Sequence, residues 1–399
     1  MVKKLRHFNW IMFLAMLALI GVGTLAIWSS GNARAETVFH GMWINNLTTA
    51  AFGLAVYLLI AFTDYRRLLD WFAVPSYALS LVLLTAVLIF GDTVYGGRRW
   101  LWFFQPSEIS KLCLIALLAW MYGTPEETSP VKTRGGFFGG WRFGFRGFLA
   151  AAAAIGVPAV LILAEPDLGT TLTLVPATLL MLLVARVWRT GLVAMFLAGS
   201  IAAAAVLGAV YEAEKPGVPS GRRERILKCV PLKPHQIKRV RVFLFPDEDL
   251  QGAGYNLRQA KISIGSGGFS GKGLGKGETN HLKYLPQAIS MNDFIFCVYA
   301  EETGFVGSLV LLTLFGCLLI PGCWVAFVST DGRGRLIALG VSTLVFAHVY
   351  INIAMSIGLV PITGLPLPFI SSGRTFLLTV MAGLGLVQSV SMHREEKTA

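Results

Sequence analysis

Long apolar runs alternate with short polar breaks along most of this chain. Each run approaches 20 residues, the length an α-helix needs to cross the hydrocarbon of a bilayer. Windows of about 19 residues predict helices over 10–28, 41–63, 71–90, 106–121, 147–164, 168–187, 191–211, 293–319, 336–358 and 373–391. The expected fold is an all-α polytopic membrane protein of about ten transmembrane helices. One polar stretch, 212–292, is far longer than the others and separates the seventh helix from the eighth. No internal repeat or low-complexity tract is visible, so 1–399 reads as a single transmembrane domain with 212–292 as a large loop within it.

Basic residues orient the bundle. The short loop Arg66-Arg67, the segment Lys132 to Arg146, Arg186 to Arg189 and Arg333 to Arg335 all fall on the side of Lys3, Lys4 and Arg6. His393, Arg394 and Lys397 join them. Short loops rich in Lys and Arg stay in the cytoplasm, so both termini are expected inside and 212–292 outside. That outer segment carries 14 Lys/Arg against 7 Asp/Glu. Its charge does not contradict the assignment, because loops beyond about 60 residues translocate largely regardless of charge. The apolar run Trp10 to Ile27 is long for a signal peptide and is followed by further spans. It predicts a retained helix rather than cleavage near Ala33-Arg34-Ala35.

Composition narrows the class further. Of 399 residues, 55% are hydrophobic and 14% charged, whereas soluble domains carry about a quarter charged residues. A net charge of +12 would suggest nucleic acid in a soluble protein; here it fits a cytoplasmic surface and anionic lipid head groups, and no nucleic-acid partner is expected. The five cysteines form no CxxC pair and the six histidines no HExxH cluster, which gives no support for a disulfide framework or a metal site.

Ionisable residues within or beside the apolar runs are the sharper signal, because charge in hydrocarbon is costly. Glu108 and Lys111 follow Pro106 at i and i+3, which places them on one helix face within reach of each other. They read either as a structural pair or as a substrate contact. Asp293 opens the eighth helix directly after the basic outer segment and reads equally as an N-cap or a catalytic base. Of the adjacent Glu301 and Glu302, at least one is expected to face the interior. Asp167, in Glu165-Pro166-Asp167-Leu168-Gly169-Thr170, reads as a turn and capping residue, and His348 with Asn352 as hydrogen-bonding partners inside the bundle. The run Gly265 to Gly273 lacks P-loop spacing. With Lys272, Lys276 and Lys283 it could still offer N–H groups and charge to a pyrophosphate, or be a plain loop.

Together these residues resemble the SEDS family (shape, elongation, division and sporulation), the polytopic peptidoglycan glycosyltransferases. The likeness rests on Arg99-Trp100, Gln105-Pro106-Ser107-Glu108 with Lys111, Glu165 to Thr170, and Gly254-Tyr255-Asn256. It continues through Ile264 to Gly268, Gly271-Lys272-Gly273, Asp293-Phe294-Ile295-Phe296 with Ala300-Glu301-Glu302, Asn352-Ile353 and Gly364 to Ser371. These pieces occur in family order over about three quarters of the chain, and Pro361 to Pro368 looks more like the RodA branch than the FtsW branch.

The resemblance implies polymerisation of lipid II on the outer face of the bacterial cytoplasmic membrane, with inversion at the anomeric carbon and release of undecaprenyl pyrophosphate. It implies Asp293 as the catalytic residue, Glu108 and Lys111 as the family's buried pair, and a class B penicillin-binding protein as partner. Arg99, Asp167 and Lys272 join them as candidate substrate contacts; no cofactor is fixed, and a divalent cation (Mg or Mn) at the pyrophosphate stays open. Three departures stand out: Met291-Asn292 where the family has His-Thr, Pro286 two residues further than usual from Asp293, and Ser371-Ser372-Gly373-Arg374-Thr375 in place of Ser-Tyr-Gly-Gly-Ser. The competing readings are a lipid II flippase, which needs a charged path open to both sides, and a non-catalytic cell-wall scaffold.

Overall fold

The computed structural model describes residues 6–394 apart from 33–40, 95–96, 103, 124–142, 166, 216, 231, 250–251 and 282–283. The Ala33-Arg34-Ala35 site, most of the Lys132–Arg146 segment, Lys3, Lys4, Pro166, Lys283 and Lys397 lie outside the described residues. Among the described residues ten long helices form the bundle: α1 (Trp10–Asn32), α2 (Met42–Phe62), α3 (Tyr65–Phe90), α4 (Pro106–Tyr122), α5 (Phe145–Ala164), α6 (Leu168–Val184), α7 (Arg189–Glu214), α13 (Ile295–Val328), α14 (Gly332–Ser356) and α15 (Arg374–Met392). Eight of them are long and apolar enough to cross a membrane; α4 and α6 have 17 residues each. The chain is a multi-pass membrane protein. In lipid such helices are favoured because every backbone polar group is satisfied within the segment.

The two largest shifts from the expected boundaries have local reasons. The third helix begins at Tyr65 rather than near 71, because the Asp64 side chain caps it by accepting from Arg66 N–H. Arg66 and Arg67 therefore sit in a first helical turn, not in a loop. The eighth long helix, α13, runs to Val328, nine residues past the expected end, and is broken at Gly304 (φ 68°, ψ −162°). Near that break a second segment supplies the missing hydrogen bonds, as described below.

α14 and α15 are the most enclosed spans, with α15 packed along α2, and α13 between α1 and α14. At one end of the bundle Tyr65 Oη donates to Asp331 Oδ2 at 2.8 Å, and Tyr65 N–H to Ser389 Oγ at 3.1 Å. Elements at the opposite end build the candidate site. They include a hairpin of β1 (Asp92–Val94) and β2 (Gly97–Trp100) between α3 and α4. The long outer segment is largely helical where described: α8 (Ser220–Cys229), α9 (Pro234–Leu244), α10 (Ala253–Ser266), α11 (Glu278–His281) and α12 (Gln287–Asn292).

Candidate functional site

A cavity of about 610 Å³ opens at this end of the bundle. Six elements give it charge. β1 contributes Asp92, β2 Arg99, α4 Glu108, the α5–α6 turn Asp167, α9 Arg239, and the α12–α13 junction Asp293. Four of the six residues singled out from the sequence thus share one space, and a fifth, Lys111, lies directly behind Glu108.

Asp293 does not cap α13. The N-cap position is Phe294, and its side chain makes no capping bond. This removes the capping alternative, since the chain turns into the helix one residue after the aspartate. Asn352 Nδ2 instead fixes the Asp293 main-chain carbonyl at 3.0 Å, which leaves the carboxylate to the cavity. Gly364 lies opposite at φ 75°, where a Cβ would sit 3.4 Å from Asp293 Oδ2. A side chain there would be strained by the left-handed backbone, with its Cβ in ordinary contact with the carboxylate. Although Asp293 faces the cavity, burial desolvates it and pushes its pKa from 3.8 up to about 6. Arg239 and then Arg99 pull it back down, and Asp167 adds to the rise.

Asp167 caps α6, as its position predicts. Its carboxylate accepts from Thr170 N–H at 3.1 Å and Thr170 Oγ1 at 2.9 Å, and Gln105 Nε2 donates to it at 3.2 Å. With those bonds in place the acid is held rather than reactive. Arg99 Nε donates to the Glu165 carbonyl at 3.4 Å. Glu165 itself is fully buried, and neither carboxylate oxygen finds a hydrogen-bond partner among the described residues. Burial, then Asp167, raises its pKa to about 8 against the opposing pull of Arg99, so Glu165 carries a proton at neutral pH.

Glu108 and Lys111 pair at 2.8 Å, with side-chain exposures of 4% and 1%. The lysine also meets His348 Nε2 at 2.8 Å and lies 5.6 Å from the Phe376 ring centroid. Sequence reasoning placed His348 within the bundle but not at this lysine. A small space of about 10 Å³ adjoins the pair, among Val341, Leu344 and Val380. That is room for about one water at most.

Lys272 has a different setting from the one expected. It does not line the cavity; its ammonium bonds Glu301 Oε1 at 2.8 Å. Glu301 is 1% exposed and also accepts from Ser263 Oγ and from the N–H groups of Glu278 and Thr279. The N–H groups of Lys272 and Gly273 donate to the carbonyls of Glu301 and Glu302 at 3.0 and 2.9 Å. In return Phe305 and Val306 N–H donate to the Gly268 and Phe269 carbonyls. The Gly265–Gly273 run therefore splints the break in α13: the N–H groups of Lys272 and Gly273 are spent on that helix, and those of Gly267, Gly268 and Gly271 on carbonyls of α10 and of the run itself. Glu302 is buried too and accepts from Ser29 Oγ, so both neighbouring glutamates face the interior.

The departures around Asp293 form a local set of their own. Ser372 Oγ donates to Asn292 Oδ1 at 2.6 Å, and Ser371 Oγ to the Asn292 carbonyl at 2.6 Å. These bonds tie the segment before α15 to the aspartate's own strand of chain.

Sequence reasoning missed two charged cavity residues, Asp92 and Arg239. Arg239 is one of 14 Lys/Arg in the outer segment, and nothing in its spacing marks it out. A second cavity, about 640 Å³, lies among α7, α8 and α9. Its buried acid Glu214 is already held by Arg223 at 2.8 Å and Arg241 at 3.2 Å, so it presents no comparable reactive group. Among the described residues no three His, Cys, Asp or Glu side chains converge as a metal site. A cation arriving with a pyrophosphate would take its ligands mainly from phosphate oxygens and water.

Comparison with known proteins agrees with this architecture. The profile of the FtsW/RodA/SpoVE family, described as cell cycle protein, matches residues 9–396. The peptidoglycan glycosyltransferase MrdB of Escherichia coli (strain K12) is 34% identical over 397 residues, covering 98% of this chain and 95% of its own. A probable peptidoglycan glycosyltransferase FtsW of Trichlorobacter lovleyi is 31% identical, with 97% and 94% covered. Among solved structures, a chain from a peptidoglycan synthase complex that coordinates polymerization and crosslinking superposes with a TM-score of 0.71 at 26% identity, covering 98% and 99%. The rod shape determining protein RodA of Thermus thermophilus shares the fold, with a TM-score of 0.63, 24% identity and 98% of each chain covered. With a profile match over nearly its whole length and a cavity built from the motifs that carried the resemblance, the chain belongs to the FtsW/RodA/SpoVE family.

Proposed function

We propose that the chain is a peptidoglycan glycosyltransferase that polymerises lipid II at the outer face of the bacterial cytoplasmic membrane. One observation carries this reading: Asp293, its carboxylate facing an open cavity and its pKa raised toward neutrality, shares that cavity with Arg99 and Arg239. In the reaction the acceptor's 4-hydroxyl attacks the donor's anomeric carbon. The new C–O bond forms as the bond to pyrophosphate breaks; Asp293 takes the hydroxyl proton and the pyrophosphate leaves with the bonding electrons. Because one in-line displacement inverts the centre, one base and one cationic wall suffice. A base with a pKa near the working pH is the efficient choice.

Glu108 lines the cavity with Lys111 paired behind it, and the gathering of Arg99, Arg239 and Asp293 at one end of the bundle supports chemistry at one face over passage through the membrane. The basic short loops support cytoplasmic termini. A class B penicillin-binding protein is the partner this reading calls for, by analogy with the relative solved in a synthase complex. The test is incubation of the purified chain, with and without such a partner, with labelled lipid II. Glycan polymer supports the proposal. Lipid II crossing vesicle membranes without polymer would favour the flippase, and neither activity would leave a scaffold.

A further inference from the structure

We propose that Arg239, carried on helix α9 of the outer segment, is a direct contact for the pyrophosphate of the lipid-linked donor. A guanidinium has five N–H donors, and Arg239 commits one nitrogen to the Thr363 carbonyl at 3.1 Å. No carboxylate oxygen lies within 4 Å of it among the described residues, although it lines the cavity that holds Asp167 and Asp293. Asp167 is engaged with Thr170 and Gln105, and so is not a partner in waiting.

Half-burial of the Arg239 guanidinium and the like charge of Arg99 both weigh against its charged form, and the carboxylates of Asp293 and Asp167 offset that only in part. An anion between the two arginines relieves that cost. Planar N–H pairs match phosphate oxygens in geometry as well as charge. The bond to Thr363 also ties α9 to the Thr363–Gly364 segment facing Asp293, so the same residue that meets the phosphate sets the wall across from the base.

This inference rests on the glycosyltransferase reading, and the experiment separates the two. Polymerisation of labelled lipid II by the full chain is measured for wild type, Arg239→Gln and Arg239→Lys. A polyprenyl pyrophosphate and a polyprenyl monophosphate serve as competing inhibitors. Wild type is expected to favour the pyrophosphate. Arg239→Gln should raise KM for lipid II roughly tenfold or more, the equivalent of one charge-assisted hydrogen bond, and narrow the preference for pyrophosphate over monophosphate. The acid limb of its pH profile should move upward, because Asp293 loses a nearby positive charge. Arg239→Lys should recover part of the affinity. If Arg239→Gln lowers kcat and thermal stability but keeps both KM and the pyrophosphate preference, the residue is only a tether and the proposal is overturned. A variant indistinguishable from wild type overturns it as well. A wild type that makes no polymer refutes the glycosyltransferase reading instead.

Discussion

Asn352 holds Asp293 by its backbone rather than by its carboxylate: Asn352 Nδ2 donates to the Asp293 carbonyl at 3.0 Å and to the Leu365 carbonyl at 2.7 Å. One buried amide on α14 thus sets the spacing between the acid and the Gly364–Pro366 segment across the cavity. Asn352→Leu leaves two carbonyls without a donor, at about 1–3 kcal/mol each if they stay dry. We expect kcat to fall at least tenfold, while the pH midpoint of activity stays put because the charges around Asp293 are unchanged. A shifted midpoint in this variant would mean that Asn352 acts on the carboxylate itself.

The base itself gives a signed pH dependence. Asp293 has a pKa raised from 3.8 to about 6, so its basic form is lost as pH falls through that value. kcat/KM should decline below about pH 6 and be flat just above it, since that ratio reports the free enzyme. Asp293→Asn should lower polymerisation by about 10²–10⁴-fold, the usual contribution of a positioned base. Glu165→Gln is the matching control. Glu165 is protonated at neutral pH, and a neutral amide in its place should leave most activity at pH 7. Comparable losses from the two substitutions would remove Asp293 from its special place.

The Glu108–Lys111 pair poses a double-variant question. Its members are almost wholly enclosed, and Lys111 also meets His348. Removing one partner from a buried pair strands a charge, at about 3–5 kcal/mol. Glu108→Gln and Lys111→Met should each lower the melting temperature, and the double variant should recover part of the loss. Full stability with no activity in the double variant would assign the pair to substrate rather than to structure.

The bundle was legible in the sequence because hydrocarbon imposes a length: a run near 20 residues leaves few alternatives. Glu108 with Lys111 was legible for a similar reason, since i and i+3 on a helix share a face. The start of α3 was misplaced because Arg66 and Arg67 look like a loop until Asp64 is seen capping them. Arg239 was illegible because a count of basic residues gives no position, and only the path of α9 across the cavity supplies one. The Gly265–Gly273 run misled in the opposite direction. Its glycines do allow close backbone approach, but to α13: Gly271, at φ 80°, packs so tightly on the Glu302 carbonyl that no Cβ fits.

Lys272 bonds Glu301 at 2.8 Å, and Glu301 in turn accepts from α10 and from the start of α11 beside the break at Gly304. The lysine is 23% exposed and the glutamate 1%, so the buried acid is the partner that suffers when the other is lost. Lys272→Ala should lower thermal stability, with little change in the dependence of rate on lipid II concentration or in its sensitivity to salt. Pairing it with Glu301→Gln should return part of the stability, because the stranded carboxylate is then gone. Screening offers the deciding measurement, since a phosphate contact would weaken with ionic strength in wild type and less so in Lys272→Ala. A rise in KM with unchanged melting temperature in Lys272→Ala would restore this lysine to the donor site and leave the splint to the backbone alone.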